Sequence, residues 1–239
     1  PRMVWGVEDI VMCPGKEDMF RFLEDIVREV VPLFPGKYFH IGVDESPKTS
    51  WKNCPTCQKR IEAEGLQADG KHSAEERLQS YVIKRMEKML AKYGRKIIGW
   101  DEILEGGLSP EATVMSWRGT SGGISAALQK HDVIMTPGSG GLYLDHYQGD
   151  YKIEPVTIPS APAYLSRTYN YEPVPDTIKS LGLEKHILGV QCNNWSEYMY
   201  TNAKMEYQMY PRSLALAEIA WSPAKKKNFT DFARRVDAN

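Results

Sequence analysis

Apolar residues recur at 19, 20, 22, 23, 26, 27, 30 and 31 in "EDMFRFLEDIVREVVPLF", a helical spacing that Pro32 and the "PG" at 35 and 36 bring to a stop. "KYFHIGV" then reads as a short buried strand over 38–43. Residues 46–71 read as loop, with a short helix around "CQKRIEAEG". "SAEERLQSYVIKRMEKMLAKYG" (73–94) predicts a long amphipathic helix. Ser73 and Glu76 have the spacing of a capping box at its start, and Gly94 ends it. Further strands are predicted at 96–100, 113–117, 132–136 and 187–193, and a short helix at 121–131. The closing helix over 203–221 is expected to kink or restart at Pro211. Residues 138–185, rich in Gly, Pro and Tyr, are too long for an ordinary connection and predict a functional excursion.

Strands that alternate with helices imply parallel pairing. Five strands are countable, and their C-terminal ends carry Asp44, Glu45, Trp100, Asp101, Trp117, Trp195 and Glu197. Reactive residues gathered at C-terminal strand ends are the arrangement of a barrel active site. A closed barrel needs eight strands, so the expected fold is a partial (β/α)8 barrel. No glycine-rich phosphate loop follows the first strand, which argues against a dinucleotide fold.

Composition narrows the partners. With 30 Lys+Arg against 31 Asp+Glu, the chain has no electrostatic footprint for nucleic acid or an anionic membrane. No apolar run is long enough for a membrane-spanning segment. The chain opens on Pro1, so a leader upstream is left open. Six Trp and 13 Tyr supply the flat, polar-edged surfaces that suit a sugar. "CPTC" (54–57) is half of a four-cysteine zinc site. His72 is a conceivable third ligand, and structural zinc, a local disulfide and free thiols all stay open. No metal or cofactor is expected in the chemistry itself.

Five pieces in order, "HIGVDE" (40–45), "IIGWDEI" (97–103), "VMSWRG" (114–119), "YLDHYQ" (143–148) and "NNWSEY" (193–198), resemble the family 20 glycoside hydrolases, the β-N-acetylhexosaminidases, across nearly the whole chain. The likeness is greatest to enzymes of the Bacteroides type. It implies a (β/α)8 barrel of which residues 1–239 are a fragment of one catalytic domain, from roughly the fourth strand to the eighth. The early strands, with a sugar-binding Arg and an active-site His, and any N-terminal domain would lie upstream. The implied activity is exo-hydrolysis of terminal β-linked N-acetylglucosamine or N-acetylgalactosamine from an oligosaccharide or glycoconjugate. The configuration is retained and the substrate's own acetamido oxygen is the nucleophile. The implied parent is exported to the periplasm, the outer membrane or the medium.

By the same likeness Glu45 is the general acid/base and Asp44 orients and polarises the acetamido group. Tyr143 donates its hydroxyl to the acetamido oxygen. Trp100, Trp117 and Trp195 wall the sugar pocket, Asp145 bonds in the same region, and Glu197 accepts from the sugar hydroxyls. Asp44, with partial burial, is expected to raise the pKa of Glu45. The bland role for the pair is to cap the next helix or to bind a surface Lys. His40 is expected to be structural. Two departures matter. Val43 stands where the family has glycine, and the loop after Gln148 lacks a pocket tryptophan that Tyr164, Tyr169 or Tyr171 is expected to replace. Val43 also raises the alternative of a catalytically impaired, carbohydrate-binding member.

Overall fold

The computed structural model describes Met3 and residues 6–238. Five strands, β1 (Tyr38–His40), β2 (Lys96–Trp100), β3 (Thr113–Ser116), β4 (Val133–Met135) and β5 (Ile187–Val190), follow one another in one sheet in chain order. β1 and β2 pair in parallel with Phe39 opposite Ile97. β4 and β5 do the same, with a register shift between Val133 and Ile134. Parallel neighbours in sequential order are the product of repeated strand–helix crossovers. The expected α/β class and the partial parallel barrel therefore hold.

β3 and β4 end one residue before the predicted bound and β1 and β5 three, but the hydrogen bonding of β1 and β5 continues. Past β1, Ile41 N donates to Ile98 O at 2.9 Å and Trp100 N to Gly42 O at 3.0 Å; past β5, Gln191 N donates to Met135 O at 3.0 Å. The chain leaves the regular pleat there and keeps its partner. Residues 142–144 add a parallel bridge, Tyr143 opposite Asn193, that periodicity did not predict.

Tertiary contacts divide the chain into two compact units, one ending at Val114 and the other starting at Met115. In the first, α1 (Glu17–Val30) and α4 (Ala74–Ala91) bury Phe20 and Val27 on one and Leu78, Ile83 and Leu90 on the other. Arg85 joins them, lying 3.9 Å over the Phe20 ring and pairing with Glu17 at 2.9 Å. The predicted capping box forms at α4, with both reciprocal bonds between Ser73 and Glu76. In the connection over 46–71 the expected short helix forms as α3 (Pro55–Ala63), and a second, α2 (Thr49–Asn53), precedes it where loop was read.

In the second unit α5 (Ser121–Leu128) precedes β4, and the long segment holds α6 (Leu165–Asn170) and α7 (Asp176–Ser180). The closing helix is two, α8 (Asn202–Met209) and α9 (Arg212–Trp221), because Pro211 has no N–H to continue the first. α10 (Phe229–Asp237) follows. Tyr169, Ala215 and Phe232 form the core beneath these helices.

Candidate active site

Asp44 and Glu45 sit where the backbone turns left-handed. Gly42, Val43 and Glu45 have φ of 72°, 74° and 45°. A regular strand would send Asp44 and Glu45 to opposite faces; these torsions break that alternation. Glycine adopts such a φ freely, whereas a β-branched residue does so at about 1–2 kcal/mol. Val43 is tolerated because β2 presents Gly99 opposite it. A Cβ at residue 99 would lie 2.8 Å from Val43 Cγ2, 2.9 Å from Ile103 Cδ1 and 3.3 Å from Gly42 O. A cavity of about 530 Å³ is lined by Ile41, Val43, Trp51 and Met86 together with the carboxylate pair, so Val43 faces the α4 layer.

Asp44 and Glu45 are exposed and make no hydrogen bond or ion pair among the described residues. They take neither bland role: α2 starts after Lys48 without a side-chain cap, and Lys48 pairs with Glu105 at 2.7 Å. The partial burial expected of Glu45 is not supplied by this chain, in which the residue lines the cavity but stays exposed. Trp100, half-buried at the end of β2, packs its ring 4.8 Å from His40. His40 Nδ1 accepts the Gly42 N–H at 3.1 Å, so His40 is structural, bracing the turn. Asp101 and Glu102 are buried in a single 3-10 turn.

The second unit carries the other predicted residues. Trp117, half-buried beyond β3, stacks on Tyr143 at 6.4 Å and 14°. The Tyr143 hydroxyl donates to Trp117 O at 3.3 Å. Leu144 N donates to Asn193 O at 2.7 Å and Asn193 N to Leu142 O at 2.9 Å, so "YLD" and "NNW" run side by side. Asp145 is 2% exposed, and neither carboxylate oxygen completes a good hydrogen bond. Burial pushes its carboxyl up to about 6; backbone N–H groups of Asp145 and Trp195 and the charge of Arg212 pull down, while Glu197 pushes further up. Trp195 is exposed and Glu197 half-buried.

The structure thus holds Asp44, Glu45 and Trp100 in one unit, and Trp117, Tyr143, Asp145, Trp195 and Glu197 in the other. The tyrosines proposed for the missing tryptophan fare unequally. Tyr169 is buried in the core with its hydroxyl accepting from Asn228 N, which removes it from that role, while Tyr164 is exposed. Tyr171 lies against Gly140, where a Cβ would come within 2.5 Å of its ring. His72 does not approach the CPTC pair. Its Nδ1 accepts the Gly106 N–H at 3.3 Å, and Cys13 stands beside Cys54 and Cys57 instead.

Sequence reasoning missed Arg212. The side chain is fully buried and donates to the carbonyls of Leu144, His146 (3.1 Å), Ala163 (3.2 Å) and Gln208 (2.6 Å). It therefore fixes the segment that carries Tyr143 and Asp145. Burial lowers its pKa to about 10, so it stays charged. The one signal in the sequence was an arginine at the head of the mostly apolar run "SLALAEIAW".

Parallel strands joined by helices, with carboxylates and indoles at successive strand ends, define an α/β chain of the barrel-enzyme class. The chain matches the model of "Glycosyl hydrolase family 20, catalytic domain" over residues 1–224, and it belongs to that family. It is 58% identical to a β-hexosaminidase of Porphyromonas gingivalis over 239 residues, 99% of this chain and 30% of that protein. It is 35% identical to a β-hexosaminidase of Vibrio furnissii, over 90% of this chain and 34% of that one. A Vibrio harveyi exo-β-N-acetylglucosaminidase solved with N-acetylglucosamine superposes with a TM-score of 0.86 at 30% identity, over 95% of this chain and 35% of that one. The chain thus spans about a third of the length of these relatives.

Proposed function

We propose that the protein is an exo-acting, retaining β-N-acetylhexosaminidase, and that this chain is the later part of its single catalytic barrel. Terminal, non-reducing β-linked N-acetylglucosamine or N-acetylgalactosamine is the substrate, on an oligosaccharide or glycoconjugate met outside the cytoplasm. The observation that carries the reading is the Asp44–Glu45 pair, exposed and unpaired at the end of a left-handed turn. The names of the relatives support it. The acetamido group on C2 and the glycosidic oxygen on C1 of one sugar are neighbours, so two adjacent carboxylates can serve both.

In the proposed reaction the acetamido oxygen attacks C1 and the C1–oxygen bond to the leaving group breaks. Glu45 gives its proton to the departing oxygen. Asp44 stays ionised, accepts the acetamido N–H and offsets the positive charge that develops in the oxazolinium ring. Water then adds to C1, Glu45 takes back a proton and the acetamido group re-forms. This departs from the usual carboxylate nucleophile. Tyr143 serves the acetamido oxygen, and to do so gives up its 3.3 Å bond to Trp117 O. Trp100, Trp117 and Trp195 supply apolar walls, and Asp145 and Glu197 accept sugar hydroxyls. Asp145 suits that role, since its buried oxygens complete no hydrogen bond.

The strained Val43 favours a second reading, a member that binds N-acetylhexosamine without turning it over. Kinetics of the intact polypeptide separate the two. The enzyme reading expects turnover of 2-acetamido glycosides well above that of plain β-glucosides, which carry no internal nucleophile. Glu45→Gln should lose about 10²–10⁴ in rate on poor leaving groups and much less on activated aryl glycosides. Asp44→Asn should slow both. Binding without turnover selects the second reading, and equal rates on β-glucosides exclude the substrate-assisted mechanism.

A further inference from the structure

Away from the strand-end turn, three sulfurs meet. Cys13 Sγ lies 3.4 Å from Cys57 Sγ and 3.6 Å from Cys54 Sγ, and all three fall within 4.8 Å of one another. Cys13 comes from the turn before α1, 41 residues from Cys54. Cys54 and Cys57 flank the first turn of α3. We propose that Cys13, Cys54 and Cys57 hold a structural zinc ion, with the fourth position filled from solvent.

The spacing is that of a metal tripod. Zinc–thiolate bonds of about 2.3 Å in a tetrahedron set neighbouring sulfurs about 3.8 Å apart. The observed separations are a few tenths of an ångström inside that edge. A disulfide needs about 2.05 Å between its sulfurs, and three sulfurs cannot all pair. The backbone N–H groups of Thr56 and Cys57 point at Cys54 Sγ, and that of Gly15 points at Cys57 Sγ. Cys57 is buried, while Cys13 and Cys54 are half-buried, which leaves one side open for a solvent ligand.

The two turns are fitted to each other at Gly15. A Cβ there would lie 2.4 Å from the carbonyl carbon and oxygen of Thr56 and 2.8 Å from Cys57 N. Only glycine allows that approach. Two more bonds clamp the same junction: Trp51 Nε1 donates to Met12 O at 2.9 Å, and Arg60 donates to Gly15 O at 3.4 Å. A metal there would fasten the segment before α1 to the connection that follows Asp44 and Glu45. It takes no part in the proposed reaction.

The test uses the intact polypeptide, purified without chelator and kept reduced. Elemental mass spectrometry should find one zinc per chain. Exchange of zinc for cobalt should give a thiolate-to-cobalt charge-transfer band in the near ultraviolet and a tetrahedral visible spectrum. Cys13→Ser should weaken zinc binding by more than about a hundredfold. Gly15→Ala keeps every ligand but separates the turns, and should also weaken it. Because the wild-type spectrum needs no variant, a variant that fails to fold leaves the test intact. Reduced wild-type protein that takes up neither zinc nor cobalt overturns the proposal. So does cobalt bound without a thiolate band. A disulfide found on non-reducing purification supports it only if reduction restores one zinc per chain, and overturns it otherwise.

Discussion

Gly99→Ala measures how Val43 is held. The Cβ added at residue 99 would stand 2.8 Å from Val43 Cγ2 and 2.9 Å from Ile103 Cδ1. Ordinary contact begins near 3.4 Å, so Val43 must yield by about half an ångström. Overpacking of this kind costs about 1–3 kcal/mol. Removing a strand glycine with unstrained φ returns about 0.4–1 kcal/mol through the unfolded chain. The net loss of stability should be roughly 0.5–2 kcal/mol. Val43 precedes Asp44 directly, so the shift passes to the carboxylates. A displacement of 1 Å can cost about a hundredfold in rate, and half of that about tenfold. In a Val43→Gly background the clash with Cγ2 is gone, and the end of the Ile103 side chain can rotate away. There Gly99→Ala should be neutral or slightly stabilising. The assay is a double-mutant cycle on the intact polypeptide, read by urea denaturation and by kcat/KM on an aryl N-acetyl-β-glucosaminide. A Gly99→Ala cost equal in both backgrounds to within about 0.5 kcal/mol would refute the packing argument.

Asp145 should give stability a pH signature. Its folded-state pKa of about 6 lies above the ordinary value of 3.8, so the folded chain holds this proton more tightly. That stabilisation is complete below about pH 4 and is lost as pH rises through 6. Urea titrations should therefore show wild type losing stability between pH 4 and pH 6 relative to Asp145→Asn, with a constant difference above pH 7. Parallel curves across that window would show that Asp145 titrates normally. Arg212→Met should leave buried carbonyls of Leu144, His146 and Ala163 without a donor, at about 1–3 kcal/mol for each. Arg212→Lys should recover only part of this, since an ammonium cannot span such a spread; full recovery of both melting temperature and kcat/KM by lysine would contradict the positioning role.

The strands, the helices α1, α4 and α5 and the capping box were legible because each is local: a period, a cap or a stop; α2, α6, α7 and α10 were not read. The strand-end residues were legible as a set because the five motifs stand in order. What escaped depends on partners far along the chain. Cys13 meets Cys54 across 41 residues, and nothing in "VMCPG" announces it. Arg212 acts on carbonyls 49 to 68 residues upstream, and backbone acceptors leave no mark in a sequence. The bridge of Tyr143 to Asn193 is too short to show a period. Val43 was visible as a departure, but its left-handed φ and its fit to Gly99 were not. The burial expected of Glu45 is not found in this chain for a related reason: burial belongs to tertiary packing, which leaves no local mark in a sequence.

The reach of Arg212 also sets an order of events during synthesis. Leu144 and His146 leave the ribosome well before the residue that satisfies them, with 68 and 66 positions between. At about 5–20 residues per second, that interval lasts on the order of several seconds. Through it, the stretch bearing Tyr143 and Asp145 has open carbonyls and a carboxylate with no counter-charge beneath it. Strands β1 to β4 can pair while α9 is still unmade, but this stretch cannot take its final form. Premature termination anywhere between His146 and Arg212 would thus release a chain whose sheet is largely written and whose Tyr143–Asp145 stretch is unfinished, a product for proteases to find.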